Sequence, residues 1–432
     1  MRTAQRLTRR TQPLRRLRRW SAADARAGLG AGAFFCILCA YYLLRPLRDE
    51  LGVRGGVDSL HTLFTGTFLA MIGAMAAYAW LSARVPRVWI VSGCFAFVCA
   101  SLLAFRGAYA VADDAALARA LFVWISVINL FLVTGFWSVM SDSFAMDVGL
   151  RRFGPIAAGG TAGALVGPAA AAAIAPHVGA ADLLLPAAAL IAIAAWLLYR
   201  VVRAAPADGE RRLATAPWRG LGRIVSDPRL RGLAGMVVLH ATLSTFVYVL
   251  QLRLVAAEVG ESAQRLQVFA GSDFAVNLLT VALQLGLTSR LLQRAGLVTC
   301  VTVLPAIALA GTAALSVWPL LAVVLVVNVL LRVAQFALTR PARELLFTSL
   351  PPVDRYRSRA ALDTLVYRAS DAAGAWLVSG LGALGLGTAG VAAAGVPLSA
   401  LWLAISRRTV GLVVAGEAAR PAQEGEMRHE VV

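Results

Sequence analysis

Twelve stretches of this sequence are long and apolar enough to cross a bilayer, and that count limits the fold more than any other feature. Six lie at about 27–44, 60–81, 88–105, 119–141, 155–176 and 183–202. Six more lie at about 231–252, 267–289, 297–316, 318–338, 361–383 and 385–405. A crossing helix needs roughly 17–25 mostly apolar residues. Composition agrees. The 432 residues are 59% hydrophobic and 15% charged, whereas soluble domains run about 45–50% apolar and about 25% charged. So much apolar surface does not fit inside a globule of this size, so an all-α polytopic membrane protein is expected.

The basic residues number 41, and all are arginine. Without lysine the chain has neither a Walker A phosphate loop nor Schiff-base chemistry. The formal charge of +18 could point to nucleic acid, but its placement points to a membrane. With the N-terminus in the cytoplasm, all but Arg45, Arg48, Arg54, Arg106, Arg119, Arg253 and Arg265 fall on the cytoplasmic side. Such a bias sets orientation and puts both termini inside. The Arg-rich start then reads as a cytoplasmic arm on anionic lipid. No A-x-A cleavage site follows the first span, so it reads as an anchor in a bacterial inner membrane, not a removed signal. Cys36, Cys39, Cys94, Cys99 and Cys300 all lie in apolar runs and read as small packing residues.

The longest polar stretch, 203–230, divides the chain six spans plus six. The expected organisation is an arm at 1–26, a six-helix bundle at 27–202, a cytoplasmic linker at 203–230, a second bundle at 231–405 and a tail at 406–432. The halves echo each other. Short basic loops follow spans 2 and 8, around Arg84 and Arg290, and spans 4 and 10 carry Asn129 and Asn328. Two six-helix halves in one orientation are the parallel repeats of the twelve-helix major facilitator architecture.

In that architecture spans 1, 4, 7 and 10 line a central cavity and spans 3, 6, 9 and 12 face lipid. The polar residues follow this division. Span 1 ends in Arg45, Arg48, Asp49 and Glu50, and span 4 carries Asn129, Trp137 and Asp142. Span 7 carries His240, Tyr248 and Gln251, and span 10 carries Asn328, Arg332, Gln335, Arg343 and Glu344. A charge at bilayer depth costs about 2.5–3.5 kcal/mol on insertion scales, so such residues face water or pair internally.

Arg45 and Asp49 stand i,i+4 and can pair, but one acid does not satisfy Arg48 as well, which leaves a cation suited to phosphate or carboxylate. Arg340–Glu344, Arg359–Asp363 and Arg368–Asp371 have helical pair spacing and read as a cytoplasmic latch. Asp273 and Asn277 sit one turn apart in span 8, where an intramembrane acid is a relay or substrate-site candidate. Gly159, Gly163 and Gly167 form one smooth helix face for close packing.

Several segments resemble the ATP/ADP-antiporter (nucleotide transporter) family, in its bacterial branch. They are Tyr41-Tyr-Leu-Leu-Arg45-Pro-Leu-Arg48-Asp49-Glu50-Leu-Gly52, Phe136-Trp137-Ser138, Arg152-Phe153-Gly154, Thr339-Arg340-Pro-Ala-Arg343-Glu344 and Asp363-Thr-Leu-Val-Tyr367-Arg368. In that family, basic residues of span 1 and of spans 10–11 bind nucleotide phosphates, and the motif places Arg48 and Arg343 where members carry lysine. The acid those members carry in span 7 has no counterpart in Thr245-Phe246-Val247-Tyr248.

The expected function is alternating-access transport of a small anionic, nucleotide-like or phosphorylated metabolite by a monomer in contact with lipid. No cofactor, metal, catalysis or nucleic-acid partner is expected. Substrate binding is expected at Arg45, Arg48, Asn129, Trp137, Tyr248, Gln251, Asn328, Arg332, Gln335 and Arg343. Coupling or gating is expected at Asp49, Asp142, Asp273, Glu344, Asp363, Arg368 and Asp371. Export of another organic anion or lipid is the alternative. A membrane-embedded transferase or a scaffold is the rival class, and the acid cluster or histidine pair a transferase would want is missing from the sequence.

Overall fold

A computed structural model describes residues 22–82, 84–85, 87–112, 114–144, 146–204, 221–348, 358–359 and 361–429. Most of the Arg-rich arm, most of the linker, Pro86, Asp113 and Asp354–Arg357 lie outside these residues.

The described residues are almost wholly helical, with no strand among them. The first half contains α1 (Ala22–Arg54), α2 (Leu60–Ser82), α3 (Arg87–Val111), α4 (Ala115–Ser143), α5 (Met146–Ile174) and α6 (Leu184–Arg203). The second contains α7 (Pro228–Glu258), α8 (Ser262–Gly286), α9 (Gly296–Val317) and α10, which runs over Leu321–Ala334, a π turn Gln335–Thr339, and Arg340–Thr348. It closes with α11, a π turn Leu362–Val366 leading into Tyr367–Ala383, and α12 (Thr388–His429). Capping sets some starts. Asp114 accepts from the Leu117 amide at 2.7 Å at the head of α4. Asp227 accepts from Arg229 at 2.8 Å at the head of α7, with Pro228 in the first turn, where its missing N–H costs nothing.

Eleven of these helices are long and apolar enough to cross a membrane. The remaining one, α11, carries Asp363, Arg368 and Asp371 in its first half. Two boundaries differ from expectation. The span 1 motif does not end a helix: α1 continues through Pro46 to Arg54, because losing one backbone bond at proline does not outweigh packing on both sides. Likewise α12 continues to His429.

The packing repeats between halves. In the first, α1 packs on α4, α5 and α6, α3 on α6 and α4, and α2 on α4. In the second, α7 packs on α10, α11 and α12, α9 on α12 and α10, and α8 on α10. Each pair is the other shifted by six helices, as a parallel repeat requires. The halves meet through α5 on α8, α2 on α11, and α1 on α7 and α8. In such a repeat the start of α1 and the membrane exit of α12 lie on one face, and the arginine bias suits that face to the cytoplasm.

Close packing of α1 on α5 uses the glycine face. A Cβ at Gly159 or Gly163 would overlap the carbonyl oxygens of Ala31 and Phe35, and one at Gly167 would come 2.6 Å from the Cys39 carbonyl. Arg152 at the cytoplasmic end of α5 also pairs with Asp24 of α1 at 2.5 Å. Cys36, Cys39 and Cys300 are buried free thiols.

Candidate functional site

A cavity of about 420 Å³ lies between the halves. Helices α1, α4, α7 and α10 line it, joined by α2, α8 and α11, and α3, α6, α9 and α12 do not. The lining is therefore wider than expected from the sequence. The reason is that α8 and α11 pack across the interface and turn Asp273, Asp363, Arg368 and Asp371 inward.

One end is sealed. There Tyr248 donates to Asp49 Oδ1 at 2.8 Å, joining α7 to α1. The same oxygen accepts from Arg48 Nε at 2.9 Å and Nη2 at 2.6 Å. The Arg48 guanidinium lies over the rings of Phe122 at 5.5 Å and Tyr248 at 5.7 Å, and cation–π attraction strengthens in a desolvated site. Asn328 Nδ2 donates to Gln251 Oε1 beside them. Beyond lies a second layer. Glu50, 0% exposed, accepts two bonds from Arg265 at 2.7 and 2.8 Å, and Arg265 also donates to the Val259 and Gly260 carbonyls. Trp376 of α11 donates to Thr65 of α2 at 3.0 Å and lies on His61.

These contacts all sit at the end away from the chain termini. Toward the termini, Arg340 and Asp363 are exposed. Among the described residues the cavity is closed at the end away from the termini and open toward them. Arg265→Gln would leave Glu50 buried without its cation, a change that costs about 3–5 kcal/mol in comparable sites. It is expected to favour outward opening. A cysteine at cavity residue Ser272, in a background without the native cysteines, should then react with an impermeant thiol reagent from outside at least about tenfold faster. Unchanged labelling would refute this role for the seal.

Midway, Asp273 is 1% exposed and lies between two arginines. Arg332 donates to its Oδ1 at 2.6 Å, and Arg45 Nε is 3.6 Å from Oδ2, beyond hydrogen-bond range. At the same level Asp371 accepts from Thr245 and from Arg368, each at 3.2 Å. At the rim Arg343 bonds Asp363 at 2.8 Å, and Arg359 bonds Glu344 at 2.8 Å and lies 3.7 Å from Asp363.

Most expected site residues come together here. Arg45, Arg48, Tyr248, Gln251, Asn328, Arg332, Gln335 and Arg343 line the cavity, as do Asp49, Asp273, Asp363, Arg368 and Asp371. Four do not. Trp137 packs among Phe34, Phe136 and Phe153 inside the first half, an apolar ring cluster that draws it off the cavity. Asn129 and Asp142 are on α4 outside the lining, where Phe122 and Ser126 face the cavity instead. Glu344 serves the rim, paired with Arg359 rather than with Arg340 as its spacing predicts. The Arg45–Asp49 pairing is also replaced: Asp49 faces Tyr248 and takes Arg48, while Arg45 turns to α8. Sequence reasoning missed Tyr41, Phe64, Thr67 and Ser126 of the lining; as ordinary residues in apolar runs, they carry no local signal.

The lining holds six arginines and four aspartates, an excess of two positive charges. Several donors are buried without a hydrogen bond among the described residues: Arg332 Nε and Nη2, Arg343 Nε, and Arg45 Nε, which has only the Asp273 carboxylate at 3.6 Å. An unsatisfied buried donor is costly, more so on a cation. An oxyanion would satisfy them.

No protein-family model matches the sequence, and no curated protein matches it. Solved structures do. A bacterial homologue of the human lysosomal transporter Spinster, in an inward-facing, unoccupied conformation, aligns with a TM-score of 0.59 at 14% identity, over 91% of this chain and 94% of that one. The nucleoside transporter NupG aligns at 0.62 and 13%, over 91% and 98%. The human organic anion transporter MFSD10 aligns at 0.60 and 16%, over 89% and 99%. Likeness of this extent at such low identity, with the repeated packing and the central cavity, shows that the chain has the twelve-helix major facilitator fold.

Proposed function

We propose that this protein is a secondary transporter of the inner membrane that carries a small anion by alternating access, and that the anion is nucleotide-like or otherwise phosphorylated. The observation that carries the reading is the set of guanidinium donors on Arg45, Arg332 and Arg343 that make no hydrogen bond, which come from both halves and face one cavity with two positive charges in excess. An anion held between Arg45 of α1 and Arg332 of α10 touches both halves, so its binding can bias their relative position. Planar guanidinium groups suit bidentate contacts with phosphate oxygens. The resemblance of the α1 and α10–α11 motifs to nucleotide transporters supports the phosphorylated class, with Arg48 and Arg343 in the phosphate-binding role.

Uptake by purified protein in liposomes tests this, with labelled ADP, AMP, glycerol 3-phosphate, inorganic phosphate and a neutral nucleoside offered in turn. Saturable uptake of a phosphorylated compound and none of the nucleoside is expected. Arg343→Gln should weaken its apparent affinity by about tenfold or more, the range for losing a charge-assisted bond. Transport of the nucleoside but of no anion would overturn the reading.

A further inference from the structure

Four aspartates face the cavity, and they are held unequally. Asp49 takes two bonds from Arg48 and one from Tyr248, all within 2.9 Å. Asp273 takes Arg332 at 2.6 Å with Arg45 behind it. Asp363 takes Arg343 at 2.8 Å with Arg359 nearby, and it is exposed. Asp371 has the loosest hold on a cation. Its contacts are a neutral hydroxyl, Thr245, and a single Arg368 nitrogen, both at 3.2 Å. Yet its side chain is only 9% exposed, while that of Arg368 is 34% exposed and open to the cavity. A buried carboxylate needs charged donors to replace the water it has lost. Asp273 Oδ2 also lacks a hydrogen bond, but it keeps Arg45 at 3.6 Å beside the Arg332 bond. Asp371 is the cavity acid whose one cation contact is longest.

Its surroundings are defined. On α11 it has Arg368 and Tyr367, and α7 brings Thr245, His240 and Tyr248 to the same cavity wall. Across the cavity, Arg48 of α1 is close enough to act on it. Helix α2 brings His61, which lies on Trp376 toward the seal. Helix α12 brings no charged side chain to the cavity among the described residues.

We infer that Asp371 is the proton site of a proton–anion symport, an inference that rests on the anionic-substrate reading. A hydronium ion in the cavity gives up a proton, its O–H bond breaking to leave water, and an O–H bond forms on an Asp371 carboxylate oxygen. The carboxyl becomes neutral, and its ion contact with Arg368 is lost. The freed guanidinium binds an oxygen of the substrate anion, and no other bond changes. Proton and anion each raise the affinity of the site for the other by the same factor. Both leave on the far side, and the Arg368–Asp371 pair re-forms in the empty carrier. Thr245 lies one turn from Tyr248, whose bond to Asp49 helps seal the outer end, so the occupancy of Asp371 is read on the helix that gates the cavity.

The test uses full-length protein in liposomes containing a pH-sensitive dye, with the membrane potential clamped by potassium and valinomycin. ADP, AMP, glycerol 3-phosphate and inorganic phosphate are supplied outside in turn. For whichever anion is taken up, the lumen should acidify in step with uptake. A gradient of about one pH unit should drive about tenfold accumulation if one proton moves per anion. In Asp371→Asn, checked for a single symmetric species by size exclusion, accumulation should fall to equilibrium and acidification should vanish. Asp371→Glu should restore both in part. Uptake by the wild-type protein without acidification would overturn the symport and leave anion transport standing, whereas intact acidification in a folded Asp371→Asn protein would overturn Asp371 as the proton site. If Asp371→Asn does not fold, Asp371→Glu decides: the pH dependence of its uptake should shift from that of the wild type, and an unchanged pH profile would overturn Asp371 as the proton site. Uptake of none of the four anions would overturn both readings.

Discussion

Replacing Gly163 with valine is expected to abolish stable folded protein. Gly159, Gly163 and Gly167 recur once per turn on α5 and press against the α1 backbone. A Cβ at Gly163 would overlap the Phe35 carbonyl and approach the Cys39 amide nitrogen at 3.0 Å. The obstacle is main chain, so no rotamer change relieves it. Between helices in lipid, association rests largely on van der Waals contact and close approach. Overpacking a fitted interface costs about 1–3 kcal/mol, and a valine against backbone belongs at or above the top of that range. The damage would reach the cavity, because α1 also carries Arg45, Arg48 and Asp49, and moving it by an ångström breaks the seal with Tyr248. Gly154, on the same helix with no atom near its would-be Cβ, is the control. Gly154→Ala should raise stability by about 0.5–1 kcal/mol through helix propensity. Thermal melting of the monodisperse peak in detergent measures both. A wild-type melting curve for Gly163→Val would show that the close approach is not needed.

The helices and their division into halves could be read from the sequence because the bilayer makes burial a matter of length and charge. Charges that remain inside spans are few, and with the polar residues near them they mark α1, α4, α7 and α10 as the walls of something wet, but not the inward turn of α8 and α11. Even α11, too polar to meet the crossing criterion, could be read, since its apolar second half, Ala372–Ala383, is long enough to bury once its charged start lies at the rim. Partner choice could be read only in part: Arg359–Asp363 and Arg368–Asp371 pair as their spacing predicts, and two other pairs do not. Local spacing pairs Arg45 with Asp49 and Arg340 with Glu344, but in the fold Arg45 reaches α8 and Glu344 reaches Arg359. Those choices depend on how two halves distant in sequence dock. The π turns at Gln335–Thr339 and Leu362–Val366 leave no mark in composition either, yet they turn Gln335 and Asp363 to the cavity. Local widening of this kind is common at functional sites.

Arg332 and Asp273 are expected to behave as a coupled pair whose separate loss is worse than its joint loss. Asp273 is buried at 1% exposure and depends on Arg332 for its one hydrogen-bonded cation. Arg332→Gln therefore leaves the carboxylate with Arg45 at 3.6 Å. That partial substitute should hold the loss of stability to about 1–3 kcal/mol, below the about 3–5 kcal/mol of a charge left with no partner. Asp273→Asn acts the other way. It deprives both arginines of their shared anion and adds a third excess positive charge to the cavity, so the full penalty is expected. The double variant removes one charge of each sign and should melt above Asp273→Asn, with an interaction energy of about 1–3 kcal/mol. Transport should separate from stability. Both Arg332 variants lose the donors proposed to hold the anion, so uptake should drop at least about tenfold in each, including the better-folded double. An added phosphorylated substrate should raise the melting temperature of Asp273→Asn more than that of the wild type, because it supplies the missing negative charge between Arg45 and Arg332. Strictly additive stabilities, or wild-type uptake by a folded Arg332→Gln protein, would remove this pair from both the structural and the transport account.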